Sequence, residues 1–304
     1  MENQHYVPKS YLKQFSSSNS DEVYAIQFIK AADKWSQPKK YHINSICFTG
    51  GFYNLDSKLT DYHKVNKDII ERDAFWYERH FITNIVEQAE GKKINEQTIP
   101  DLAFFLLSMK SRNPRFRSGY TQEKIDKNLK LSVEELNKDL KLIDNPKLNK
   151  IAKSAIEEIK SKPPTPKNLH NGSILRAHSN NNEVFKSVLK KVINYNIVVY
   201  RPKDLRDSFI TTDSPGYSVD KNKAFFDTKY IDDLYHFIPI SPKLAIGFHN
   251  PEFYTSLERI TYQELSSEEI FQFNYGSAVN RTKNIYCSNE PTLDDFVDRV
   301  FPKK

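Results

Sequence analysis

Tyr195-Asn196-Ile197-Val198-Val199-Tyr200-Arg201 is the stretch on which the fold class turns. Its β-branched and aromatic side chains read as a strand. It also marks the point where the apolar repeat of the chain changes period. Downstream the period is two, with strands expected at 208–212 (SFITT), 234–240 (LYHFIPI), 244–249 (LAIGFH) and 283–287, and one helix at 267–280. Upstream the period is three to four. Ile69, Ile70, Phe75, Trp76, Phe81, Ile82, Ile85 and Val86 predict an amphipathic helix over 64–90, with room for one break. Thr98-Ile99-Pro100-Asp101 starts another helix, and the run Leu102–Arg112 is apolar nearly all round, the mark of a helix inside the core. Pro114 ends or kinks it.

Further out on both sides the pattern fills in. Residues 121–162 are rich in Lys and Glu, with periodic Leu and Ile, and read as two helices split near Asp144-Asn145-Pro146. Lys162-Pro163-Pro164-Thr165-Pro166-Lys167 reads as a linker, and 181–195 as one more helix. Residues 10–15 form a short helix after Pro8, 22–30 a strand, and 43–55 two short strands bent at Gly50-Gly51. Segregated runs predict an α+β fold: a helical core at about 64–162, flanked by a small N-terminal β meander and a C-terminal, mostly antiparallel sheet. No internal repeat or long heptad run is present. A single domain over 1–304 is expected, with a helical Lys/Glu-rich arm at about 121–167.

Composition narrows the classes. Apolar residues make up only 38%, but 20 Phe and 17 Tyr bury large areas each, which argues against a disordered chain. The net charge of +6 is mild, consistent with an anionic partner and equally with a lysine-rich proteome. Cys47 and Cys287 belong to no CxxC pair, so a disulfide framework or zinc knuckle is not supported; both are expected to be buried. No basic-apolar leader and no run of about 20 apolar residues occurs, so a cytoplasmic protein is expected.

Polar motifs then stand out against this background. Gln4-His5-Tyr6-Val7-Pro8 sets an imidazole between an amide and an aromatic ring; it can exchange a proton near pH 7 or simply pin the N-terminus. Glu71 and Glu78 are two helical turns apart, hence on one face, either solvated or able to hold a metal and divide acid and base roles. Ser111-Arg112-Asn113-Pro114-Arg115-Phe116-Arg117 follows the core helix; its guanidinium groups suit helix-end carbonyls, Glu78, or a phosphate. Thr211-Thr212-Asp213-Ser214-Pro215 ends a strand, where Asp213 can ligate a metal, hold a histidine, or organise a turn through backbone amides. His170, before Asn171-Gly172, falls in a turn. There is no P-loop, GxGxxG, HExxH or GxSxG.

Taken together, QHYVPKSYLKQF (4–15), IERDAFWYE (70–78), LLSMKSRNPRFR (106–117), FITTDSP (209–215), PISPKLAIGF (239–248) and NYGSAVNRTKNIYC (274–287) resemble the bacterial DUF4238 family of unknown function. That family opens on a His-Tyr-Val-Pro-type motif, carries Arg-x-Pro after a hydrophobic helix, and has a Thr-x-Asp-x-Pro segment later. The resemblance implies His5, Glu71, Glu78, Arg112 and Asp213 as the matching polar positions and assigns them no roles. Gly216 departs from the pattern, where a β-branched residue is expected.

Two functions follow as expectations. One is phosphodiester cleavage in nucleic acid: Asp213 and Glu78 hold a divalent metal such as Mg or Mn, His5 is general acid or base, and Arg112, Arg115 and Arg117 bind phosphate. Gln4, Tyr6, Glu71 and Thr212 support the site. The alternative is a non-catalytic module that binds nucleic acid or protein, its motif residues forming a buried structural network. A third reading, a toxin-like or antiphage effector, has only the family resemblance behind it.

Overall fold

The computed structural model describes residues 3–17, 20–29, 31, 34–71, 78–142, 144–177, 183–220, 225–226, 233–256 and 258–300. The helices are α1 (Lys9–Gln14), α2 (Ser57–His63), α3 (Glu78–Glu90), α4 (Ile99–Ser111), α5 (Pro114–Ser118), α6 (Gln122–Leu140), α7 (Pro146–Ser161), α8 (Pro166–Ala177), α9 (Glu183–Ile193), α10 (Ser267–Val279) and α11 (Glu290–Val300). The strands are β1 (Asn3–His5), β2 (Glu22–Ile29), β3 (Lys34–Trp35), β4 (Lys39–His42), β5 (Phe48–Gly50), β6 (Asn196–Pro202), β7 (Thr211–Thr212), β8 (Tyr217–Asp220), β9 (Phe225–Phe226), β10 (Asp233–Ser241), β11 (Leu244–His249), β12 (Ile260–Leu265) and β13 (Asn284–Cys287).

The fold is α+β, with helices concentrated between two sets of strands. The larger sheet runs β12-β6-β11-β10-β8-β9, antiparallel except for the β12–β6 pair. β6 and β11 are buried almost throughout, so the sheet is covered on both faces. Helix α4 packs over one face with Leu102, Ala103, Phe105, Leu106, Leu107 and Met109 all buried, as its apolar circumference requires. Strands β8 and β12, helices α8 and α11, and the N-terminal strand β1 are additional to the elements expected from the sequence. Of the helix expected over 64–90, residues 78–90 are helical as α3, 64–68 are turn and coil after α2, and 72–77 lie outside the described residues.

The second sheet joins the two ends of the chain. β2 pairs with β3 and β4 on the N-terminal side, and β13 lies antiparallel between β2 and β7. The N-terminal β structure is therefore completed by the last strand. β1 forms a separate two-stranded ladder with β5, His5 opposite Phe48.

Gly216 has a physical reason for departing from a β-branched residue. Its φ is +76°, and a Cβ there would meet the Phe237 carbonyl oxygen at 2.3 Å. Helices α6 and α7 form the arm expected at 121–167, a hairpin around its own small cluster of Leu129, Val133, Leu140, Ala152 and Ile156. Asn145 starts α7, its side chain accepting from the amides of Lys147 and Leu148.

Candidate functional site around the N-terminal segment

Three long-range contacts hold the N-terminal segment in place. Gln4 is 1% exposed; its side-chain oxygen accepts from the Tyr53 amide (2.6 Å) and its Nε2 donates to Asn54 (2.7 Å). The Tyr6 amide donates to the Cys47 carbonyl at 2.9 Å. Tyr11 donates to the Pro239 carbonyl (2.7 Å), which leaves its oxygen to accept from Thr211 (2.8 Å). The segment is thus fastened to residues 47–54, to β7 and to β10 of the large sheet.

Arg112 comes to this segment from the end of α4. Its Nη2 donates to the His5 carbonyl at 2.5 Å, and its own carbonyl accepts from the Tyr53 hydroxyl at 2.7 Å. The guanidinium lies 5.8 Å from the Tyr53 ring centre, and the residue is only 1% exposed. Arg112 therefore faces the His5 backbone, not solvent, and is closed to a phosphate arriving from outside. Burial, then the charges of Lys9 and Arg112, lowers the His5 imidazole to about 4. It is neutral at pH 7; the backbone of Asn44 and Ile43 pulls its pKa the other way, and among the described residues its Nε2 has no hydrogen-bond partner. Glu71 sits within electrostatic range of Tyr53, whose phenol burial pushes up to about 12. The Glu78 side chain, the proposed metal partner of Asp213, lies outside the described residues.

Arg117 and Arg115 also turn to the protein. Arg117 stacks 3.4 Å from the Phe52 ring centre and donates to His170 Nδ1 (2.9 Å), the Phe52 carbonyl (2.8 Å) and Asn171 (3.0 Å). His170 Nε2 donates to the Ser111 carbonyl (2.7 Å), which fixes its tautomer. Burial and the neighbouring Arg117 lower this imidazole to about 3. His170 is thus no turn residue: it sits inside α8, fully buried. Asn171-Gly172 stays helical because Asn171 donates to the Asn54 carbonyl and accepts from Arg117, contacts that outweigh its turn preference. Arg115 donates to the Arg281 carbonyl at 3.3 Å.

Asp213 organises the other end of the chain. Its Oδ1 accepts from the Thr282 amide (2.8 Å), and its Oδ2 from Lys283 (2.7 Å) and Asn284 (3.1 Å). Three successive amides leading into β13 converge on one carboxylate that is 2% exposed. Burial raises its pKa to about 6 against the opposing pull of those amides. Thr212 closes the local turn, donating to the Ser214 carbonyl at 2.8 Å and accepting from the Ser214 amide. Tyr6 lies within electrostatic range of both Asp213 and Tyr53, and Arg112 meets the His5 carbonyl, so the Arg112 and Asp213 motifs lie beside the N-terminal segment. Their polar groups, however, meet main chain more than one another. The void beside the segment, lined by Pro8, Tyr11, Phe81, Phe105 and Met109 among others, is about 10 Å³, no more than one water needs.

A second polar cluster escaped the sequence reading. Lys110 donates to Ser218, and Ser218 Oγ lies 2.7 Å from His236 Nδ1, with Lys110 Nζ 3.4 Å from the same nitrogen. Register places Ser218 directly opposite His236 on β8 and β10, and Tyr195 stacks on the imidazole at 5.6 Å. A serine hydroxyl on a neutral imidazole is the geometry of an activated nucleophile. All three side chains are 0% exposed, and burial holds His236 well below its usual range. The available signal was Lys110 itself, a lysine inside an otherwise apolar helix run.

An open concavity lies elsewhere. A cleft of about 430 Å³ between residues 204–208, α10 and α11 is lined by Asp204, Asp207, Asn274, Asp295 and Arg299 among others, and by none of the motif residues. Three of its charged groups have partners in the chain: Ser267 donates to Asp207 at 2.7 Å, Arg206 grips Asp204, and Arg299 meets Glu268. Among the described residues no group of three His, Cys, Asp or Glu side chains is placed to hold a metal ion, and no helix is long and apolar enough to cross a membrane. No curated protein and no solved structure matches the chain. The family described as "Protein of unknown function (DUF4238)" matches residues 3–291, which takes in the His5, Arg112 and Asp213 motifs alike, and the chain belongs to that family.

Proposed function

We propose that this protein acts by binding: a rigid α+β body whose motif residues are structural carries the α6–α7 arm as a protein-docking element. One observation carries the reading. Six of the twelve large apolar side chains exposed among the described residues lie on this arm: Leu131, Leu136, Leu142, Leu148, Ile151 and Ile159. On α7, Leu148, Ile151 and Ile159 lie on one exposed edge beside the face that packs on α6, and an exposed apolar edge of this kind marks an interaction surface. The lysines around them keep the arm dispersed in water until a partner covers it.

The test compares wild type with an Ile151→Glu/Ile159→Glu variant of unchanged melting temperature. Loss of every specific protein contact, in self-association and in capture from lysate, is the expected result. Identical behaviour of the two proteins would overturn the reading. Tight, steeply salt-dependent binding to labelled RNA or DNA, indifferent to the apolar substitutions, would replace it with nucleic-acid binding through the arm's lysines.

Phosphodiester cleavage is the second reading, and the neutral His5, whose Nε2 has no hydrogen-bond partner among the described residues, is the observation in its favour. Mg- or Mn-dependent nuclease activity abolished by His5→Ala would establish it. Activity absent, or unaltered by that substitution, removes it.

A further inference from the structure

Helix α7 carries an apolar pattern that reads the same in both directions. Leu148, Ala152, Ala155 and Ile159 are spaced four, three and four residues apart, so they form one stripe of the a/d kind along the helix. Leu148 is 53% and Ile159 41% exposed; Ala155 is exposed and Ala152 partly so. Large side chains therefore stand at the two ends and small ones in the middle. The cluster shared with α6 is centred on Ile156 on a neighbouring face and takes in Ala152, which lies at the border of the two faces. Along the outer edge of the stripe run Lys147 at the N-terminal end and Glu158 at the C-terminal end, both exposed, with Ile151 between them.

From this pattern we infer that the partner of the arm is a second copy of this chain, docked through α7 in antiparallel fashion. The inference rests on the docking role given to the arm above. A two-fold axis midway between Ala152 and Ala155 sets Leu148 against Ile159 of the second copy at each end. Ala152 and Ala155 face each other across the centre, where small side chains let the helices approach closely. The same operation brings Lys147 within reach of Glu158 of the second copy, twice. A parallel pairing would instead place the two copies of this edge on opposite sides of the seam, out of reach of each other. An isologous contact needs a self-complementary patch; the large-small-small-large pattern fits either direction, and the charges along this edge of α7 complement each other only when the helices run in opposite directions. The result is a four-helix bundle, α6 and α7 from each copy. Few large side chains are involved, so the expected Kd is on the order of micromolar.

The test uses the full chain, whose native Cys47 and Cys287 are both buried and silent to crosslinking. Ala152→Cys and Ala155→Cys chains, carrying different tags, are oxidised separately and mixed. A disulfide joining the two tags, well in excess of links within either variant alone, is the expected product. Links of 152 to 152 and 155 to 155 in the single-variant samples, or no link, overturn the antiparallel pairing. Sedimentation adds an independent measure: Ile159→Glu weakens dimerisation by at least about tenfold. Lys147→Glu weakens it several-fold, and adding Glu158→Lys restores it. Wild type that stays monomeric at roughly 100 μM, far above a micromolar Kd, sinks the second-copy inference. If Ile151→Glu/Ile159→Glu still loses capture of another protein in that case, the docking role stands without it; if that variant changes nothing, both fall.

Discussion

The N-terminal segment and the α6–α7 arm treat their side chains in opposite ways. Around the segment, ionisable groups lie inside, and their hydrogen-bonding atoms meet main-chain carbonyls and amides: Arg112 on His5, Arg117 on Phe52, Asp213 on residues 282–284. On the arm, apolar groups lie outside, with lysines and glutamates between them. The first arrangement joins distant parts of the chain at fixed geometry and leaves little surface for a partner. The second contributes little to the fold and offers surface. A conspicuous charged motif in a sequence is thus compatible with architecture, and a bland Lys/Glu-rich stretch with interaction.

The sharpest way to break the comparison is Arg112→Ala. Removing a buried guanidinium strands the His5 carbonyl and opens a cavity beside Tyr53, so urea unfolding is expected to show a loss of about 3 kcal/mol or more. A loss below about 1 kcal/mol would mean the motif is not architectural.

Acid titration is expected to give the next largest effect. The fold holds His170 neutral, its pKa lowered from 6.5 to about 3. Its contribution is complete above pH 6.5 and is lost as pH falls through about 3, a change on the order of 4 kcal/mol. His170→Gln, which keeps an acceptor for Arg117, should flatten the acid limb of a stability-versus-pH curve; an unchanged limb would place the acid sensitivity elsewhere.

Asp213 gives a smaller slope of opposite sign. Its pKa is raised from 3.8 to about 6. The favourable contribution is present below pH 3.8 and fades as pH rises through about 6. Asp213→Asn removes that slope, and at pH 7 costs about 2 kcal/mol because one amide oxygen replaces two carboxylate oxygens facing three amides. Stability unaffected at pH 7 would detach Asp213 from the anchoring of β13.

At the small end, Ile151→Glu on the arm is expected to move stability by no more than about 0.5 kcal/mol while altering association. A cost of 2 kcal/mol would mean that the arm's outer face is part of the core.

Much of the fold was legible because burial writes a strong pattern. The run Leu102–Met109 could only be a core helix, and the strands at 196–202, 233–241 and 244–249 announced themselves through β-branched and aromatic side chains. β12 was not legible: as an edge strand, partly exposed along most of its length, it has no sharp alternation. Helix α8 hid behind Asn171-Gly172, whose helical state is set by tertiary partners. Where the motif side chains end up was not legible, because one sequence does not say which carbonyl an arginine will find. The Lys110–Ser218–His236 cluster was invisible for a related reason: it exists only once β8 is in register with β10.

The pairing of β2 with β13 has a consequence for synthesis. Emerging from a ribosome at about 5–20 residues per second, Glu22–Ile29 must wait for the roughly 250 residues up to Asn284, a delay of about 10–50 s. During that interval an apolar strand edge is exposed and uncovered. The nascent protein should therefore depend on holding chaperones until its last strand is released, and stalling translation just before residue 284 should yield chains that aggregate although most of the helices are already made.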